Sequence, residues 1–553
     1  MRIDLIISAR DIITLDENRP RATRIGVTAG RIVGFDEELD GVSAAREIDL
    51  GGAVAMPGFI DAHCHTTWGG LGLLAVDAAT PKTLDELYDR IREEAERLDA
   101  EGDSQAWVHA TGFAQANYGG AFPDLKVLDE ITGEHPLYLR HTSGHAAITN
   151  SVVLRQLGVF EEGFTDPEGG VFVRDRDGAP TGLVEEAAQE LVQSLILPYP
   201  VETIVEALDA ATKQYAALGI TSFAEAGIGA GWIAHSPIEV AAYQAASEAG
   251  RLHCRAQLMP TIDALHEVTG DETDLGGTGS GRGIDLGIRT GFGDDRVSFG
   301  HVKVFTDGSL LGATAAMTED FCGHQNHGNS GYLLTSPEEQ RERTLAAYRA
   351  GWALAIHAIG DRAVDLALDI IDEAQRAYGS NGVPNRIEHF GIARPDQVER
   401  AGQLGVAVTP QQAFVNVFGE PMAERIGQDR EAWLYRGRTI VESGVIWAGS
   451  SDWPVADNDV LRAMQTAVDR VSEKGRVIGP DETVDPEQAL KHYTIWAAQA
   501  MGVDRDRGTL SCGKLADIVA LSASPLEAES IADLDVVATF VGGETTYESD
   551  ASN

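Results

Sequence analysis

Lysine is nearly absent from this sequence: 553 residues contain seven, so the basic residues are almost all arginine. Base is scarce altogether, with 43 Lys plus Arg against 86 Asp plus Glu and a formal charge of −43. A surplus of that sign repels phosphate backbones and anionic headgroups, so neither nucleic acid nor a membrane is expected as a partner. The acid is spread along the chain, as on a solvated, self-repelling, halophile-like surface suited to high salt. Cysteine is scarce too. Cys64, Cys254, Cys322 and Cys512 lie far apart without CxxC spacing, which excludes a disulfide framework and a zinc knuckle. No apolar run reaches the length of a membrane span, and no basic-then-apolar leader opens the chain. A soluble, cytoplasmic protein is expected.

What is present divides into three kinds of text. Residues 1–57 alternate like strands ("DLIISARDIITLD", "RIGVTAGRIVGFD"), and so does 505–553 ("GKLADIVALSA", "VVATFVGGETTY"). Pairing of the two ends into one small β-sandwich domain is expected. Between them, from about residue 200, amphipathic helices alternate with short apolar runs. Counting "GFIDAHCH" first, these runs are "ITSFAEAG", "HCRAQLMP", "HVKVF", "ALAIHAIG", "RIEHFG", "VAVTPQ" and "VIWAGSSD". Eight strands close a (β/α)8 TIM barrel, here over residues 58–504. The long excursion at about 66–200 reads as a subdomain inserted after the first strand, over the barrel mouth. The Gly- and Asp-rich run 270–297 reads as a loop.

Chemistry collects at the carboxyl ends of those strands, where such barrels carry their sites. His63 and His65 are two apart on a strand and therefore share a face, while Cys64 points into packing. His357 ends the fifth strand, His389 the sixth, and Asp452 follows the eighth. Lys303 sits in the apolar fourth strand of a chain that otherwise avoids lysine. A buried ammonium is costly unless paired or neutralised. Reaction with carbon dioxide would turn it into an N-carboxylysine able to bridge two metal ions; a structural ion pair is the alternative. Asp307 could cap its loop or belong to the site. Asp361 could be a helix N-cap or orient His357. His324 and His327 have i, i+3 spacing in a loop, where a surface role is the simpler reading. "GGTGSGRG" is followed by no Lys-Ser/Thr and opens no helix, so nucleotide binding is not expected.

The stretches "PGFIDAHCH", "VKVFTDGSL", "IHAIGDRAVD", "RIEHF", "AGSSDWPV" and "GTLSCGKLADIVAL" resemble the amidohydrolase superfamily. Within it the chain is most similar to the amidohydrolase-3, YtcJ-type branch, which includes N-substituted formamide deformylases. "LRHTSGHAAITNSVVL" and "DGAPTGLVEEAA" extend the resemblance into the insert. It implies one or two divalent ions, zinc by preference, held by His63, His65 and Asp452 and by His357 and His389, with Lys303 or in part Glu186 as the bridge. It further implies a metal-activated hydroxide attacking an amide-like small molecule, with Asp452 shuttling the proton. His145, in "SGHAAITN", is expected either to stabilise the oxyanion or to be a satisfied loop histidine. The expected reaction is hydrolysis of a non-peptide C–N bond, N-formyl or N-acyl. A same-scaffold isomerase, a lactone or ester hydrolase, and a non-catalytic regulatory protein are the competing readings. A homo-oligomer is compatible with the sequence.

Overall fold

The computed structural model describes residues 2–102, 105–142, 146–323, 326 and 328–549. They form two compact units: one comprises residues 1–66 and 211–553, the other residues 67–210. His145, His324 and His327 lie outside the described residues.

In the first unit both ends of the chain enter one eight-stranded sheet. Its order is Glu544–Glu548, Val536–Val541, Ile518–Leu521, Val54–Pro57, Arg2–Ile13, Arg21–Thr28 and Arg31–Phe35, with Ser43–Asp49 paired to Arg2–Ile13. Alternation turns Leu5, Ile7, Ile25, Ile518 and Phe540 into one core, which Ile12 joins across a register shift between Ser8 and Ile12.

The site is carried by eight parallel strands: β1 (Phe59–Cys64), β2 (Ile220–Ile228), β3 (Arg255–Pro260), β4 (Val302–Phe305), β5 (Leu354–Ala358), β6 (Arg386–His389), β7 (Ala407–Thr409) and β8 (Ile446–Trp447). They fall into two ladders, β1-β2-β3 extended by Val297–Phe299, and β4-β5-β6-β7-β8. A parallel bridge between Thr261 and Lys303 links the end of β3 to β4. On the other side, Ala62 N–H donates to Gly449 O (2.9 Å) and Asp452 N–H to His63 O (2.8 Å), joining β1 to the segment after β8. These strands are buried on both faces, hence the near-continuous apolar runs.

The helices between them follow their apolar spacing. Asp361–Tyr378 buries Val364, Ala367, Leu368, Ile371 and Ala374 on one face and stops at Gly379, whose φ of +76° a side chain would resist. One expectation fails. The run 270–297 is not a plain loop, because Ser280–Gly283 pairs antiparallel with His266–Thr269. "SGRG" carries no alternation to reveal a strand. Its Gly281 lets the helix Pro337–Arg349 approach, since a Cβ there would stand 3.1 Å from Ala346 O.

The second unit builds its own six-stranded sheet, in the order Gly170–Arg174, Pro180–Glu186, Ala146–Thr149, Leu137–His141, Val108–Phe113 and Val76–Asp77. The helix Leu84–Glu101 packs Leu87, Ile91 and Ala95 into its core and turns its charged residues outward.

Candidate metal centre

Asp61, His63 and His65 alternate onto one side of β1 and its continuation, and all three are buried. Asp452 reaches them from the segment after β8. Its Oδ1 lies 3.3 Å from His63 Nε2 and 3.0 Å from His65 Nε2. His389, at the end of β6, brings its ring to 4.8 Å from that of His63 and 4.4 Å from that of His357. One donor atom each from His63, His389 and Asp452 lies within 4.8 Å of the others, a span a single ion could bridge. Lys303, wholly buried in β4, places Nζ 3.2 Å from His63 Nε2 and 4.9 Å from the Phe305 ring centroid.

His357 stands somewhat apart. Its ring packs against His389, but its Nε2 faces Gly308 O at 3.2 Å and Asp307 Oδ1 at 3.4 Å. Asp307 accepts hydrogen bonds from the N–H groups of Ala316, Ile359 and Gly360, so it organises the turns on either side of His357. Asp361 corrects both of its expected roles. The N-cap of its helix is Gly360, and the Asp361 carboxylate meets Thr318 and Arg394 instead of His357. Cys64 is buried, with its sulfur against Ala224 O and Thr66 Oγ1. Glu186 belongs to the second unit, where it lines a cavity of about 290 Å³ with Gln115, Phe122 and His141.

The electrostatics suit a cation. Burial holds His65 near 4 and His389 well below the ordinary imidazole value, so both rings stay neutral with a lone pair to offer. Burial would raise Asp452, but the neighbouring His63 and His65 imidazoles outweigh it and hold the carboxylate well below its ordinary range. Burial lowers Lys303 to about 8, against the pull of Glu388 and Asp452. Neutral imidazoles and an ionised carboxylate converging in a buried place are the donor set a divalent ion requires.

Two ligand candidates have costly backbones: His389 (φ +69°) and Asp452 (φ +58°) are left-handed without being glycine. Such conformations cluster at functional sites. At His389 the turn breaks strand alternation, so that it and Glu388 can both serve the centre. Four supporting residues escaped the sequence reading. Asp61 accepts from His63 N–H (3.2 Å), Ser451 N–H (3.1 Å) and Ser451 Oγ (2.5 Å). Gln411 Oε1 sits 3.0 Å from His389 Nδ1. Arg386 and Glu388 form a buried bidentate pair, and the Glu388 carboxylate also contacts His63 Nδ1. The available signal was charge placed inside apolar strand text, as in "FIDAHC" and "RIEH".

Comparison with known proteins agrees with this arrangement. Residues 46–547 match the family model described as "Amidohydrolase family". The Arabidopsis thaliana protein LONG AFTER FAR-RED 3 is 31% identical, over 98% of this chain and 91% of its own length. The N-substituted formamide deformylase of Arthrobacter pascens is 29% identical over 99% of both. An uncharacterised metal-dependent hydrolase from Pyrococcus horikoshii superposes with a TM-score of 0.75 at 25% identity, over 95% of this chain and 98% of that one. With its family model spanning nearly the whole length, the chain belongs to the amidohydrolase family, in the branch that also holds the putative amidohydrolase YtcJ of Bacillus subtilis.

Proposed function

We propose that this protein is a metal-dependent amidohydrolase that cleaves a non-peptide C–N bond of a small molecule, an N-formyl or other N-acyl amide. The observation that carries the reading is the buried convergence of His63 Nε2 (3.3 Å) and His65 Nε2 (3.0 Å) on Asp452 Oδ1, with a His389 donor atom within 4.8 Å of those of His63 and Asp452. The name of the Arthrobacter relative supports the choice of amide. His63, His65 and Asp452 would hold one divalent ion, zinc by preference. His357 and His389 would hold a second, on an eight-stranded (β/α)8 scaffold. When bound, such an ion lowers the pKa of water toward neutrality and polarises a carbonyl oxygen.

The chain's own residues supply the rest. Asp452, kept ionised by its histidine partners, takes a proton from the attacking water at a carboxylate oxygen. It returns that proton to the nitrogen as the C–N bond breaks, so the products are a carboxylic acid and an amine. Lys303 in its neutral form would add carbon dioxide, losing one proton, and present a carboxylate beside His63. His145 would donate to the carbonyl oxygen as charge develops there.

The test is chelation followed by reconstitution with zinc, assayed on N-formyl amines, N-acyl amino acids, cyclic imides and lactones. Amide turnover should vanish with the metal and return with it. A preparation that folds yet binds less than one equivalent of zinc, or that turns over lactones alone, overturns the reading. Intact mass under native conditions should show one carbon dioxide added at Lys303.

A further inference from the structure

Glu388 has no part in the ligand set, yet it is wholly buried and touches His63 on the side opposite the converging donors. Its partners leave it little freedom. Arg386, two residues back on β6 and so on the same face, holds it by two bonds, Nε to Oε1 and Nη2 to Oε2, both 2.8 Å. The same Nη2 donates to Ala62 O at 2.9 Å, one residue before His63, and Thr409 Oγ1 donates to Glu388 Oε2 at 3.3 Å. Three strands, β1, β6 and β7, thus fix one carboxylate against one imidazole nitrogen.

A buried Arg–Glu pair is weak ground for stability, because apolar residues of similar volume commonly do as well. Its placement is better explained by what it does to His63. A neutral imidazole carries one proton, and a carboxylate at Nδ1 draws it there. Nε2 is then left with its lone pair, aimed at the space shared with Asp452 Oδ1 and Lys303 Nζ. We infer that Glu388, clamped by Arg386, is a positioning residue that sets the tautomer and orientation of His63 for metal binding. The inference rests on the metal reading above and adds to it a residue outside the ligand set.

The test is zinc affinity, measured by chelator competition on metal-stripped protein. Glu388→Gln should weaken zinc binding by about 10- to 100-fold while the circular dichroism stays that of the wild type. Because that change leaves the Arg386 guanidinium without its counter-charge, the double variant Arg386→Met/Glu388→Gln is read beside it and should show the same loss. A folded double variant with wild-type zinc affinity overturns the inference while leaving the hydrolase reading intact. If the wild type itself binds no zinc, the metal reading fails first and takes this one with it. Imidazole nitrogen–proton correlations of unmodified, metal-free protein decide the matter even if both variants unfold. They should show His63 protonated at Nδ1, and a proton on Nε2 refutes the assignment.

Discussion

Asp61 shows how much of this centre depends on a residue that never meets the reacting atoms. Its carboxylate takes three hydrogen bonds that tie the end of β1 to Ser451, next to Asp452, and Ser451 Oγ in turn accepts from Trp453 N–H at 3.0 Å. Removing it leaves buried donors without an acceptor, each costing about 1–3 kcal/mol. Asp61→Ala should therefore lower the melting temperature and weaken zinc binding together, whereas Ser451→Ala, which spares His63 N–H, should do less of both. Equal effects of the two variants would show that the carboxylate does not organise the pair of segments. The contrast also marks what was legible at this scale. His63, His65, His389 and Asp452 could be named because each stands out chemically at or just after a strand end, and Lys303 because it is a charge inside an apolar strand. Asp61 and Glu388 show in the sequence only as charge inside apolar strand text, and their roles, like that of Gln411, lie in partners up to hundreds of positions away. Nor does any residue type announce the left-handed turn at His389 or Asp452.

Elements were legible where burial imposes a period. The helix over 361–378 has its period written into it and the eight strands show as short apolar runs, whereas the glycine-rich strand Ser280–Gly283 shows neither. Which elements pair across the chain is set by contacts no window contains. Arg255, at the start of β3, meets Asp517, just before Ile518–Leu521, through Nε to Oδ2 (2.8 Å) and Nη2 to Oδ1 (2.9 Å). Both side chains are buried, and Gly542 N–H adds a third bond to the carboxylate. This pair anchors the terminal sheet to the strands that bear the site. Asp517→Ala strands a buried guanidinium and should cost about 3–5 kcal/mol. Glu94→Ala, which breaks an exposed pair with Arg97 on the helix Leu84–Glu101, should cost no more than about 1 kcal/mol. Denaturant midpoints measure both. Matching shifts would mean that the Arg255–Asp517 contact holds nothing together.

For the molecule as a whole the governing quantity is charge. Carboxylates outnumber basic residues two to one, so half of them have no cation to meet even if every arginine and lysine is used. The arginines are used heavily: Arg394 alone meets Asp361, Asp365 and Asp396, and Arg97 meets Glu94 and Glu101. The remaining acids repel one another across the surface, and that repulsion is strongest in the folded state, where they are closest. Salt weakens it, because the Debye length shrinks from about 10 Å at 0.1 M to about 3 Å at 1 M. Attraction within the exposed ion pairs is screened as well, but each is worth little, whereas the unpaired surplus acts over the entire surface. The melting temperature should therefore rise by several degrees as potassium chloride is raised across that range. Sucrose at equal osmolality, which stabilises by exclusion without screening, should give a smaller rise. A melting temperature that stays level or falls with salt would mean that the acidic surface is not self-repelling in the folded protein.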